Sequence, residues 1–242
     1  MKWMRKSLGW IAGIGVGGLV LWQIGTAISL RSTQADSAGL LFNKKVSLQS
    51  YQQAQEAGIH ELILSHGEKY LQQIKPEELD QLTWDRLILL AEAHRMGIRV
   101  SDKELIQEIR ISPIFQTPTG QFDKRVYEYL IENYLHITPR AYEEEFREKL
   151  IIRKLMDRTI GNPTVTDQEI EEALKKEKET VGTKSAKKTV EEKDPVLQKE
   201  KIRQKILTNK RVQAYLLWYQ DLLKRANPKK LLPPVPSKSV NE

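Results

Sequence analysis

The 242-residue sequence contains no cysteine, and only 7% of its residues are aromatic. Without cysteine the chain cannot form a disulfide, a thiol nucleophile or a cysteine-ligated zinc site. Its four histidines include no pair at i,i+4 spacing, and neither an HExxH motif nor a Walker phosphate-binding loop is present. The sequence therefore predicts no metal site and no catalytic residue.

The chain is moderately basic, with 39 Lys and Arg residues against 32 Asp and Glu residues and a formal net charge of +7. Such a balance can indicate binding to nucleic acid, contact with an anionic membrane surface, or simply a soluble surface. Because most lysines are interleaved with glutamates, we interpret them as a solvated surface. We expect no nucleic-acid partner.

Charged residues are missing from residues 7–30, which as a helix would span about 34 Å, enough to cross a bilayer. Lys2, Arg5 and Lys6 precede this stretch, and the positive-inside rule then places the N-terminus in the cytoplasm. The apolar region of a secretory signal would be shorter. We therefore predict that residues 1–31 form a cytoplasmic flank and an uncleaved, single-pass anchor in the inner (cytoplasmic) membrane of a bacterium, with the main domain in the periplasm. The alternative is a cleaved signal, for which Gly25-Thr26-Ala27 and Thr33-Gln34-Ala35 could serve as cleavage sites.

Glycines repeat within the predicted anchor. Gly9, Gly13 and Gly17 recur at every fourth position, and such a small-residue face can pack against another membrane helix. Glycine is also common in membrane helices that have no such partner. Residues 13–18 match GxGxxG, and Asp36 follows at about the distance of a ribose-binding acid. The strands that a dinucleotide fold needs are missing from the pattern, so we expect no cofactor.

Periodic apolar residues and helix caps organise residues 82–155. The first helix of this region is predicted to end at Gly97, since glycine adopts the left-handed conformation at low cost. Ser101 and Glu104 have the spacing of a capping box. Pro139 is suited to the first position of a further helix. The pattern predicts an all-α fold.

The order of these signals resembles that of a known family. A helix ending at residues 97–98 is followed by Val-Ser-Asp at 100–102, Pro-Ile-Phe-Gln at 113–116 and Gly-Gln-Phe-Asp at 120–123. This order resembles the N-terminal chaperone domain of the SurA/PpiD-type periplasmic folding factors, and the membrane-anchored PpiD type is the closer match. The resemblance covers residues 40–166. It implies a helical chaperone domain that a long C-terminal helix returns to complete.

We therefore expect an N-terminal transmembrane helix, a SurA N-terminal-like helical chaperone domain and a long C-terminal helix. The stretch before that last helix is rich in Lys, Glu, Thr, Gly and Ser and has few apolar residues, which is typical of a linker. The predicted segments are 1–31, the flank and anchor; 32–178, the helical domain; 179–194, a flexible basic linker; 195–226, a helix packing back on the domain; and 227–242, a disordered tail.

Two local features carry predictions of their own. A short hairpin around Asn43 and Lys44 is expected ahead of the first helix. The run Glu143, Glu144 and Glu145 could suggest a metal site or an acid catalyst. We interpret it instead as a solvated face near a helix N-terminus, where the helix dipole favours negative charge.

The resemblance implies a chaperone that binds unfolded or newly translocated polypeptides through an apolar helical cradle, without catalysis. Related proteins often carry a parvulin-type prolyl isomerase domain before the final helix, and such a domain needs on the order of a hundred residues. Only residues 169–200 occupy that position, so we do not expect isomerase activity. An assembly or scaffold subunit that docks one specific partner is the alternative.

Six residues are candidates for contact with unfolded polypeptides, because methionine and aromatic side chains adapt to varied apolar partners. For each of them the alternative is that the side chain fills the core. The expected partners are unfolded polypeptides and the inner membrane, with the protein translocon as a further candidate. The six residues are Met96, Ile114, Phe115, Phe122, Tyr127 and Tyr134.

Overall fold

A computed structural model of the protein describes residues 37–181 and 195–231. The predicted anchor with Gly9, Gly13 and Gly17 lies outside the described residues, as do most of the predicted linker and tail. Among the residues that are described, no helix is both long enough and apolar enough to cross a bilayer.

The described chain is mostly helical, which confirms the helical prediction. A hairpin precedes the helices and a third short strand follows them. A 3-10 turn lies at Glu68–Gln72 and another at Pro113–Phe115, and a π-helical turn lies at Tyr129–Tyr134. The elements are β1 (Ser37–Leu41), β2 (Lys44–Ser47), α1 (Leu48–His66), α2 (Pro76–Arg95), α3 (Asp102–Ile111), α4 (Lys124–Glu128), α5 (Pro139–Ile160), α6 (Asp167–Val181), α7 (Pro195–Ala226) and β3 (Lys229–Lys230).

Side-chain caps fix the start of several helices. The Ser101 hydroxyl accepts a bond from the Glu104 amide at 3.3 Å, and the Glu104 carboxylate accepts one from the Ser101 amide at 2.9 Å, so the capping box is formed. Thr138 caps α5 by accepting a bond from the Ala141 amide. These contacts satisfy amides that the first turn of a helix leaves without partners. After α2, Gly97 has a φ of 69°, the left-handed conformation that ends many helices.

A small sheet of order β2-β1-β3 corrects the prediction of an all-α fold. The predicted hairpin is present, but its turn residues are Phe42 and Asn43, with φ angles of 50° and 61°. Lys44 pairs with Leu41 and therefore belongs to the strand rather than to the turn. Two-residue hairpin turns with positive φ at both positions match the twist of the strands they join.

The core lies between α2 and α5 and extends under the hairpin. Gly39 of β1 passes so close to the Trp84 ring and to the Lys229 carbonyl that any Cβ would collide with them. This approach lets the indole lie fully buried below the sheet. The largest fully buried apolar side chains are Trp84, Ile88, Phe115, Ile131, Leu155 and Leu222.

The last turns of α7 pack on α2 and on the hairpin. Leu222 and Ala226 are fully buried in the same core cluster as the helices of the N-terminal part of the chain. The Tyr219 hydroxyl donates to the Asp85 carboxylate. The Phe42 amide of the hairpin turn donates to the Ala226 carbonyl at 2.7 Å. The C-terminal end of α7 is therefore an integral part of the domain.

Glu92 of α2 carries a carboxylate that is almost completely buried, with 2% of its side chain exposed. Two guanidinium groups compensate this charge. Arg95 donates to both carboxylate oxygens at 2.7 and 2.8 Å, and Arg225 of α7 donates at 3.1 Å. Because a buried charge is costly unless it is paired, Arg95 compensates the carboxylate from within α2, and the bond from Arg225 holds α7 against α2 at this point.

The hydrogen bond from Arg95 is the largest influence on the Glu92 carboxyl, and it lowers the pKa below the usual range. A depressed pKa in the folded state contributes stability above the unfolded pKa of about 4.3, and this contribution is lost as pH falls through the folded pKa. As the pH is lowered below about 4.3, we expect the urea concentration at the midpoint of unfolding to fall less steeply for Glu92→Gln than for the unmodified protein. The exposed Glu56 supplies the control, because Glu56→Gln should keep the original slope. Equal slopes for all three proteins would contradict the prediction.

Candidate functional site

A cleft with a volume of about 160 Å³ lies between α1 and α5. His60 and Leu64 line it from α1, and Tyr142 and Phe146 line it from α5. Each pair is four residues apart, so its two side chains lie on one face of their helix. Ile114, from the 3-10 turn after α3, lies at the third side of the cleft.

The apolar wall of the cleft consists of Leu64, Ile114 and Phe146. All three are incompletely buried, and 41% of Ile114 is exposed. An exposed apolar surface of this kind can bind an apolar group of another molecule, because burial removes both surfaces from water. The volume suits one large side chain rather than a folded element.

The polar wall of the cleft consists of acidic side chains paired with basic side chains. The His60 Nδ1 atom lies 3.0 Å from both carboxylate oxygens of Glu145. The Lys149 ammonium lies 2.9 Å from the Glu61 carboxylate. Because both carboxylates already have a partner within the cleft, this wall can accept polar main-chain groups without presenting an unpaired carboxylate.

Arg86 of α2 forms the base of the cleft and is only 8% exposed. Its Nη2 atom donates to the Glu145 carbonyl at 3.1 Å and to the Glu148 carboxylate at 2.9 Å. These bonds join α2 to α5, and a longer contact of 3.8 Å reaches Glu61 on α1. The base is therefore fixed by three helices, and the cleft is preformed.

A cluster of aromatic rings supports the cleft from behind. Phe115 is fully buried. Its ring makes edge-to-face contacts with the rings of Tyr127 and Tyr142, with 5.1 Å and 5.7 Å between ring centroids. The cluster continues to Phe146, whose ring centroid lies 5.8 Å from that of Tyr142, and to Phe122, whose ring centroid lies 5.9 Å from that of Tyr127. Burial raises the pKa of Tyr142 and raises that of Tyr127 to about 12. Both phenols therefore remain neutral at physiological pH and act as packing groups.

The structure separates the predicted binding residues into three groups. Ile114 lines the cleft with an exposed side chain. Phe115 and Tyr127 are 0% and 8% exposed, so they fill the core, as the alternative interpretation has it. In this conformation neither ring offers a surface to another polypeptide.

The other three candidates lie against the core without lining the cleft. Met96, Phe122 and Tyr134 are partly buried and pack on the core cluster. Phe122 joins the aromatic cluster through Tyr127. Met96 and Tyr134 remain candidates for contact outside the cleft.

Several lining residues were not predicted from the sequence. His60 is one of the four histidines that have no i,i+4 partner, and it pairs with Glu145 across the cleft. The prediction of a solvated face is wrong for Glu145, because its side chain is only 22% exposed. The signal in the sequence is the spacing of His60 and Leu64 on α1 and of Glu145 and Lys149 on α5. The spacing within each helix does not reveal that α1 and α5 face each other.

The site shows no arrangement for metal chemistry. Within residues 37–181 and 195–231, no group of three or more His, Asp and Glu side chains could hold a metal ion.

A preformed cleft in a helical domain is the architecture of a binding module. Residues 1–156 match the SurA-like N-terminal domain. This match covers more than half of the chain, and the protein therefore belongs to the SurA-like N-terminal domain family. The family is of a chaperone-like, non-catalytic type. No curated protein and no solved structure gives a significant match to the chain.

Proposed function

We propose that the protein is a membrane-anchored, extracytoplasmic chaperone that holds unfolded or newly translocated polypeptides without catalysis. The observation that carries this proposal is the preformed cleft between α1 and α5, with an apolar wall, a polar wall and a fixed base. The family supports the same type of function.

Binding in the cleft follows from its two walls. An apolar side chain of the client would be buried against Leu64, Ile114 and Phe146, which is worth about 1.5–3 kcal/mol. The client's main chain would meet the paired acidic and basic side chains of the polar wall. Because ordering a flexible chain consumes part of this free energy, binding is weak and reversible. Weak binding is what a holding chaperone needs in order to release its client.

The cleft can be tested by placing a carboxylate at its mouth. Ile114→Asp should strongly reduce the suppression of aggregation of a chemically unfolded reporter protein, because an apolar client side chain would then meet a charge. Ile111→Asp is the matched control, since Ile111 is 55% exposed and does not line the cleft. Light scattering over a series of chaperone concentrations measures the effect. We expect Ile114→Asp to require several-fold more protein for equal suppression.

Two results would contradict the proposal. Equal activity of the two variants would exclude the cleft as the binding site. No suppression by the unmodified protein, together with co-purification of one specific partner, would favour an assembly or scaffold subunit instead.

In a proline-limited refolding assay we expect the spontaneous rate, with times of tens to hundreds of seconds.

The anchor is part of the proposal, and its topology can be tested separately. The basic residues before the uncharged span indicate a cytoplasmic N-terminus and a periplasmic domain. A reporter that is active only in the periplasm should be active when fused after Asn241. Activity of a cytoplasmic reporter at the same position would contradict the proposed location.

A further inference from the structure

One face of α7 is not covered by the rest of the described chain. Five residues of α7 lie on one side of the helix, because they are spaced four residues apart except for one interval of seven. They are Leu197, Lys201, Lys205, Val212 and Leu216. Leu197, Val212 and Leu216 are 50%, 49% and 50% exposed, and the two lysines are exposed as well. We call these five residues the exposed face of α7.

Helix α6 packs on a different side of α7. Ile202 is 7% exposed, Lys210 lies 2.6 Å from Glu169, and Arg203 lies 3.5 Å from Asp167. These contacts orient α6 away from the exposed face. Among the described residues, no carboxylate forms an ion pair with either lysine of that face. Within the described part of the chain, the face therefore combines positive charge that no carboxylate compensates with apolar side chains.

The C-terminal end of α7 lies beside the strand that follows the proposed anchor. The Leu231 amide, just beyond α7, donates to the Ala38 carbonyl of β1 at 2.9 Å. The six residues 31–36 connect the end of the predicted span at residue 30 to β1, and fully extended they reach at most about 20 Å. The C-terminal end of α7 would then lie close to the membrane surface.

We propose that the exposed face of α7 lies on the anionic lipid headgroups of the membrane that residues 7–30 are proposed to span. The proposal rests on the anchoring stated above. Lysine ammonium groups attract lipid phosphates, and the apolar residues enter the boundary between headgroups and acyl chains. A second copy of the chain is a poorer occupant, because the face carries no carboxylate to meet the lysines of the other copy.

The test uses a fragment of residues 32–242, which lacks the predicted anchor. Every buried core residue and every strand pairing that the structure describes lies within this fragment. A cooperative thermal transition of each variant confirms that it is folded. We expect the fragment to co-sediment with vesicles that contain about one-third phosphatidylglycerol and not with vesicles of phosphatidylcholine alone. Raising the salt concentration to about 0.5 M should weaken the binding by screening.

Charge reversal separates the exposed face from the general basic charge of the chain. Lys201→Glu with Lys205→Glu should weaken vesicle binding at least about tenfold. The control, Lys103→Glu with Arg140→Glu, changes the net charge equally at exposed positions on α3 and α5 and should retain most of the binding. Equal loss in both double variants would overturn the proposal, because it would show that only net charge matters.

Polar replacement tests the apolar part of the face in the same way. Val212→Ser with Leu216→Ser should weaken binding several-fold, whereas Ile106→Ser with Ile111→Ser should not. The control isoleucines are 51% and 55% exposed, similar to the residues they match. Absence of any binding to anionic vesicles would overturn the proposal. So would a dimer of the fragment that the Val212 and Leu216 substitutions dissociate, since the face would then belong to a second copy.

These outcomes are independent of the anchor and of the cleft. The fragment has no residues 7–30, so its vesicle binding does not report on membrane insertion. The reporter fusion after Asn241 tests the anchor, and the Ile114 variant tests client binding.

Discussion

Replacement of Leu222 by aspartate is expected to abolish the cooperative folding of the domain. Leu222 of α7 is completely buried, in the cluster that also contains Trp84 and Leu155. Loss of its packing alone costs about 2–5 kcal/mol, and the new carboxylate would be buried without a partner at a further cost. Since a domain is typically stable by only about 5–15 kcal/mol, this change removes most or all of the margin.

The same helix supplies the matched control. Leu217 lies five residues earlier and is 71% exposed, so Leu217→Asp should leave the melting temperature almost unchanged. Circular dichroism of fragments 32–242 over a temperature series measures both variants. If Leu222→Asp melted like the unmodified fragment, α7 would be an independent arm and would not complete the domain.

Local chemistry allowed the helices to be located from the sequence. The capping box of Ser101 and Glu104, the helix start at Pro139 and the glycine after α2 all have the predicted geometry. Each depends on residues a few positions apart, whose interaction is present in the sequence itself. The long helix predicted at 195–226 has the bounds Pro195–Ala226 in the structure.

Features that depend on distant parts of the chain could not be located in this way. Strand β3 consists of two lysines, which carry no strand signal of their own. It forms because the end of α7 brings these residues beside Gly39 and Leu40 of β1. The cleft has the same origin, since His60 and Glu145 are 85 positions apart.

The loop after α3 contains Phe115, whose ring is buried although the sequence suggests an exposed position. Its two prolines and its glycine indicated a loop, and loops generally lie on the surface. The structure closes this loop through a bridge between Gln116 and Phe122 and a 2.8 Å bond from the Asp123 amide to the Phe115 carbonyl. The closed loop places the Phe115 ring between Tyr127 and Tyr142.

Phe115→Ala is therefore expected to destabilise the domain by about 3–5 kcal/mol, the usual cost of removing a buried aromatic ring from a core. Tyr129 provides the control in the same region of the chain, because it is 61% exposed and Tyr129→Ala removes a ring that packs little. Urea unfolding of fragments 32–242 measures the free energy of unfolding of both variants. A domain with unchanged stability but weakened client binding would show that Phe115 contacts clients in a conformation other than this one. A destabilised domain in which any remaining folded protein still suppresses aggregation would assign the ring to the core and leave Ile114 as the contact residue.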